Sequence, residues 1–320
     1  MASAGFGIEN GGLWAAIHTP FRPDGTLDVE GIRRNCGIYV DDLHLKGVFF
    51  CGLMGEHWSL TLEERKAFVA TLSDAAAGQL GMAPNCTHHS LAETIDLVRH
   101  ARDAGCHYAT IMNPATCPRT DDALLEYFGA VCSATDIGII IFNTPAPGYM
   151  LSPQLLAQLC DLPNVKGIKA AGSDADRIAV RKACGTKVVV SDPMEEHWAE
   201  NLSVHGQTLL FADPEPYLYQ SAGRRPIADY FAQFQRGDLQ GFRRAFDELA
   251  PLRTIYNRWI MGPLRSGRPP SAALKVWAAA VGLAAGPTRT PVRALSAAEQ
   301  TALMTDLQAV GLGRQARQRS

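Results

Sequence analysis

Short runs rich in apolar residues alternate along this chain with longer segments whose apolar residues recur at helical spacing. The apolar runs fall at 13–19, 47–51, 82–87, 108–112, 138–142, 165–169, 187–191 and 207–211. The helical segments that follow them fall at 29–43, 61–77, 90–104, 121–134, 152–159, 174–183 and 194–205, with a short helical stretch near Tyr217. That is eight strand–helix units within about 220 residues. Strands that alternate with helices pair in parallel, because each helix is the crossover to the next strand. Runs such as GIIIF (138–142) are apolar on both faces, as in a sheet covered on both sides. Eight units of this kind predict a closed α/β barrel, the (β/α)₈ or TIM fold, rather than an open doubly wound sheet. No G-x-G-x-x-G follows the first run, which removes the main signature of a dinucleotide-binding sheet.

Local signals agree with the periodicity. Thr61-x-x-Glu64 and Ser90-x-x-Glu93 read as capping boxes, and Ser152-Pro153 places a cap before a proline at the first helical position. Past residue 222 the alternation stops. Helices are predicted over 226–236, 239–256, 271–281 and 296–310. The organisation expected is a barrel over 1–222 and a helical extension, packed on it, over 223–320. The basic tail GRQARQRS is expected to fray.

Composition narrows the classes of function. Thirty Lys and Arg against 32 Asp and Glu give a formal charge of −2, without the basic excess of a nucleic-acid binder. No apolar run approaches the roughly 20 residues of a membrane helix, and MASAGFGIENGG lacks the pattern of a signal peptide. The eight cysteines form no C-x-x-C pair and several sit in apolar runs. They are read as reduced, mostly buried thiols of a cytoplasmic protein.

In a barrel of this kind the chemistry sits at the C-terminal ends of the strands. Those ends offer His18 and Thr19; the turn Gly52-Leu53-Met54-Gly55-Glu56-His57; His88 and His89; Asn113 and Thr116; Phe142, Asn143 and Thr144; Lys169; Ser191 and Asp192; and Asp213. Lys169 differs from the rest, because Gly167, Ile168, Ala170, Ala171 and Gly172 around it are all small or apolar. A desolvated lysine sheds its proton more readily, and the neutral amine can form a Schiff base with a carbonyl. Bringing a lysine from about 10.4 to about 7 costs about 4–5 kcal/mol, which the fold must supply. A strand-end lysine can equally be an ion-pair partner or snorkel to solvent. Adjacent His88 and His89 point to opposite faces, so no metal site is expected. Glu195, Glu196 and His197 read first as helix-start residues.

Four segments resemble the dihydrodipicolinate synthase / N-acetylneuraminate lyase family of Schiff-base aldolases and lyases. They are LWAAIHTPF (13–21), GVFFCGLMGEHWSLTLEER (47–65), IIIFNTPAPG (139–148) and GIKAAGSD (167–174), in the family's order and spacing. The resemblance runs from about Gly12 to about Pro291. It implies that Lys169 condenses with a 2-oxo acid such as pyruvate, without a cofactor, in a homotetramer or homodimer. It also implies a catalytic set of Lys169, Phe142 and Thr116, and a substrate-binding set of Gly52, Leu53, Met54, Gly55, Asn143 and Leu210.

This chain departs from the family at polar positions. The strand-five tyrosine that shuttles protons is Phe142. The threonine pair falls on Leu53 and Met54. The tyrosine borrowed from a neighbouring subunit falls near Thr116, and the arginine after the Y-N-x-P segment is absent from TPAPG. Synthase activity in lysine biosynthesis is therefore not expected. The apolar replacements, with His57 and Trp58 beside them, fit a hydrophobic or aromatic partner such as an aldehyde. The stretch 195–219 loosely resembles the family's hydratase-aldolases. His18, His57, Thr116, Glu195 and His197 are the acid–base candidates. Two other readings stay open: an impaired barrel that binds a 2-oxo acid as a sensor or regulatory protein, and a metal-dependent lyase using His18, His88 and a strand-end acid.

Overall fold

The computed structural model describes residues 5–313, so most of the basic tail lies outside the described residues. Eight strands run in chain order: β1 (Gly12–Ala16), β2 (Gly47–Phe50), β3 (Gly81–Pro84), β4 (Tyr108–Ile111), β5 (Gly138–Asn143), β6 (Val165–Ala170), β7 (Val189–Ser191) and β8 (Leu209–Phe211). All the recorded strand pairings are parallel, in the orders β3-β2-β1-β8 and β4-β5-β6-β7.

Two seams close these halves into a barrel. At the β3–β4 seam, Asn85 bridges in parallel to Thr110, and the Cys86 amide donates to the Thr110 carbonyl at 2.9 Å. At the β7–β8 seam a side chain replaces the ladder. Ser191 Oγ accepts from the Phe211 amide at 3.1 Å and donates to the Leu209 carbonyl at 3.2 Å. Strands buried on both faces leave little room inside. Gly47 and Gly81 flank the Trp14 indole, and a Cβ on either would overlap the ring. Glycine at these two strand positions is what admits so large a side chain to the barrel interior.

The helices form where the sequence places them, with instructive exceptions. Thr61 and Glu64 make a reciprocal capping box ahead of the helix Leu62–Ala76. Ser90 Oγ accepts from the Glu93 amide at 3.4 Å, but no reciprocal bond completes that box. Unforeseen boxes start the helices Asp174–Cys184 and Ala297–Ala309. The helix expected over 239–256 is two, Leu239–Asp247 and Ala250–Tyr256, followed by a π turn over Asn257–Met261. Pro251 explains the break: its ring would clash with the carbonyl four residues back, so it is accommodated only in a new first turn. A π turn also ends the segment 29–43, over Ile38–Asp42. All eight cysteines are free, and Cys117 alone among them is exposed. Among the described residues no helix is long and apolar enough to cross a membrane.

Candidate active site

Lys169 lies on β6, in register with Phe142 on β5 and Ser191 on β7. Its side chain is fully enclosed, with no exposed surface. The ammonium nitrogen lies 4.8 Å from the ring centre of Phe142, 5.0 Å from that of Phe49 and 5.6 Å from that of Phe211. These distances are within the range over which ring quadrupoles attract a cation. Two oxygens complete the surroundings. Lys169 Nζ donates to Asp213 Oδ1 at 2.9 Å and to the Ala212 carbonyl at 3.2 Å, both just beyond β8.

A cavity of about 730 Å³ opens at the C-terminal ends of the strands. Phe49, Leu53, Met54 and Phe142 form its apolar wall, joined by Met261 and Leu264 from the C-terminal segment. Thr144, Ser173, Arg177, His197, Asp213 and Arg265 supply polar groups. Lys169 is not on the wall; three of the side chains that touch its amine (Phe49, Phe142 and Asp213) are. The carboxylate and the two rings thus stand between the nucleophile and the open cavity.

The turn after β2 leaves two backbone donors unused. The Gly55 and His57 amides donate to the Gly52 carbonyl, and the Glu56 amide to that of Leu53. The amides of Leu53 and Met54 have no acceptor among the described residues. Backbone donors of this kind can hold a carboxylate without a particular side chain. Glu56 closes the turn in the left-handed region, at φ 54°, and its Oε1 lies 2.8 Å from Lys275 Nζ of the helix Ser271–Ala280. Both side chains of this pair are buried.

The structure sorts the other expected residues. Asn143 is structural: its side chain donates to the Leu151 carbonyl and accepts from the Leu151 amide. Thr116 is exposed and outside the cavity wall; its carbonyl accepts from Arg119, so it is not placed as an acid or base here. Leu210 is a correction as well. It is buried off the cavity, in register with Leu13, while its neighbour Phe211 turns toward Lys169. Side chains alternate along a strand, so the two residues cannot both face inward.

The acid–base candidates separate similarly. His18 is buried, with its ring nitrogens 2.8 Å from the Ala284 carbonyl and 3.4 Å from the Tyr217 hydroxyl. Burial pushes its pKa down to about 4. His57 is also lowered to about 4 by burial, and with His88 and His89 it lines a separate cavity of about 430 Å³. Glu195 is held by Arg253, at 2.9 Å from each of two guanidinium nitrogens, and by the Tyr230 hydroxyl at 2.9 Å, which makes it structural. His197 does reach the main cavity. Its hydrogen bond to Asp192, at 3.0 Å, raises its pKa. Of the residues around the amine and the cavity, the sequence does not single out Asp213 or the C-terminal Met261, Leu264 and Arg265. Asp213 was visible as a strand end, but nothing in the sequence pairs it with Lys169. Among the described residues no group of three or more His, Cys, Asp or Glu could hold a metal ion, and the ring contacts of His18 do not join it to His88.

Residues 9–310 match the dihydrodipicolinate synthetase family. The chain is 32% identical over 169 residues to 4-hydroxy-tetrahydrodipicolinate synthase of Methanothrix thermoacetophila, covering 52% of this chain and 56% of that one. It is 28% identical over 299 residues to the synthase of Methanoculleus marisnigri, covering 90% and 95%. The chain spans about half the length of several curated relatives that it matches. Its fold is similar to that of YagE, an E. coli K12 prophage protein of the dihydrodipicolinic acid synthase family solved with pyruvate. There the TM-score is 0.80 at 21% identity, covering 94% and 99%. The chain belongs to the dihydrodipicolinate synthetase family, whose members are Schiff-base lyases and aldolases.

Proposed function

We propose that this member of the family forms a Schiff base between Lys169 and a 2-oxo acid of the pyruvate type, and cleaves or joins a bond to a hydrophobic or aromatic aldehyde. The observation that carries this reading is the enclosed lysine, set among three phenyl rings behind a largely apolar cavity. A lysine held away from water can act as a carbonyl nucleophile once its proton is removed. The undonated amides of Leu53 and Met54 would take the substrate carboxylate, which sets the 2-oxo group toward β6. Leu53, Met54, Phe142, Met261 and Leu264 would receive the apolar partner. Pyruvate comes into this reading also because a structural neighbour of the same family was solved with it.

The same wall argues against a small polar partner. Along the apolar wall Leu53 and Met54 have no hydroxyl to give, and Phe142 no phenol, so an aldehyde carboxylate set against that wall would desolvate without a partner. The protein is therefore not read as a dihydrodipicolinate synthase. The test is pyruvate release from 4-aryl-4-hydroxy-2-oxo acids, set beside condensation of pyruvate with aspartate semialdehyde. The expected result is a kcat/KM for the aryl substrate at least 100-fold above that for the semialdehyde, consistent with the roughly 1–3 kcal/mol each apolar contact supplies. Faster reaction with the semialdehyde would overturn the assignment. A homotetramer or homodimer is the assembly proposed, and sedimentation of the intact protein decides it; a monomer at micromolar concentration would refute it.

A further inference from the structure

Schiff-base chemistry at Lys169 needs a group that moves protons at the nitrogen. Phe142, level with the lysine in the sheet, has none. Among the described residues, Asp213 is the one titratable side chain that touches the amine, at 2.9 Å, and it also lines the cavity. Its own side chain is 15% exposed while that of Lys169 is fully enclosed, so the carboxylate faces nucleophile and substrate space at once. A second acid stands behind it. Glu215, two residues on, is buried, and its Oε2 has no partner. Burial first, and then the neighbouring Asp213, push the Glu215 carboxyl well above its usual range, which favours its neutral form.

Resting on the Lys169 reading, we propose that Asp213 is the catalytic acid–base of this site, and that its ion pair with Lys169 caps the nucleophile until a 2-oxo acid enters. The Asp213 carboxylate takes a proton from the Lys169 ammonium. The neutral amine adds to the 2-oxo carbon, and the nitrogen's surplus proton passes to the former carbonyl oxygen, giving a carbinolamine. Protonated Asp213 returns its proton to that hydroxyl, which leaves as water while the nitrogen lone pair closes the iminium. The carboxylate, free again, removes a proton from C3 of the iminium to give the enamine that adds to the aldehyde; in cleavage it instead takes the C4 hydroxyl proton as the C3–C4 bond breaks to enamine and aldehyde, and then returns that proton to C3. Loss of such a group typically costs about 10²- to 10⁴-fold.

The test follows exchange of the pyruvate methyl protons for deuterium by NMR, with borohydride trapping of the adduct as a parallel readout. Wild-type protein is expected to trap pyruvate and to exchange its methyl protons. In Asp213→Asn, exchange should fall at least 100-fold and trapping should slow, yet reach the wild-type extent on long incubation. Added formate should restore part of the exchange, a rescue that a merely structural role would not permit. If Asp213→Asn does not fold by circular dichroism, Asp213→Ser with and without formate replaces it. Exchange in the folded variant within threefold of wild type overturns the role of Asp213 and leaves the Lys169 reading intact. Wild-type protein that traps neither pyruvate nor larger 2-oxo acids overturns the Lys169 reading, and this inference with it.

Discussion

The Glu56→Gln substitution tests how the turn after β2 is held. Glu56 and Lys275 are 0% and 3% exposed at the side chain, 2.8 Å apart, and join the turn after β2 to a helix of the C-terminal segment. Lys275 also donates to the Pro287 carbonyl at 2.7 Å and lies 4.0 Å from the ring centre of Phe21. Burial lowers the Lys275 pKa from its usual 10.5, and Glu56 opposes that shift. Removing one partner of a buried pair strands the other charge, at about 3–5 kcal/mol. Deprotonation sets a ceiling. Neutralising a lysine of ordinary pKa 10.5 at pH 7 costs about 5 kcal/mol, at about 1.36 kcal/mol per pH unit. Urea unfolding should therefore show Glu56→Gln less stable than wild type by about 3–5 kcal/mol at pH 7.

The sign of its pH dependence follows. In the variant the folded chain holds the Lys275 proton more weakly than the unfolded chain, so stability rises with pH. The deficit should shrink between pH 7 and pH 10. The double variant Glu56→Met/Lys275→Met should regain most of the loss, because no buried charge then remains. A deficit below about 1 kcal/mol at pH 7, or one unchanged up to pH 10, would refute the reasoning.

Two further outcomes are expected. His18, buried with its pKa lowered to about 4 from 6.5, is taken up neutral. It thus favours the fold fully above pH 6.5, and this contribution is lost as pH falls toward 4, by about 3 kcal/mol in all. Measured by urea unfolding, the stability gap between wild type and His18→Asn should narrow by that order over this window; a constant gap would contradict it. Leu53 lies on the walls of both cavities, so Leu53→Thr should lower kcat/KM for an aryl 2-oxo acid by about 10- to 100-fold. An unchanged value would remove Leu53 from the apolar subsite.

The barrel was legible because its strands are short apolar runs between amphipathic segments: GIIIF at 138–142 becomes β5, Gly138–Asn143, almost residue for residue. Lys169 was legible for a related reason, since a charged residue among small apolar neighbours at a strand end has no solvent to face. The inward phase of β8 was not. In QTLLF both faces are apolar, so the pattern cannot say whether Leu210 or Phe211 meets the lysine. Contacts across the barrel were equally hidden. Lys169 and Asp213 are 44 residues apart, and only closure of the sheet brings them to 2.9 Å. Glu56 and Lys275 meet from opposite parts of the chain for the same reason, and neither segment carries a mark of the other. Thr116 lies in a loop, where strand periodicity gives a side chain no direction.

The central claim is that Lys169 is the carbonyl nucleophile. Protein incubated with pyruvate, reduced with sodium borohydride and digested for peptide mass analysis tests it directly, with Lys169→Ala treated in parallel. A stable pyruvyl-sized adduct is expected on the peptide bearing Lys169, and none in the variant. An adduct that persists in Lys169→Ala, or its absence from wild type with pyruvate and with larger 2-oxo acids alike, would contradict it and leave a barrel that binds without Schiff-base chemistry.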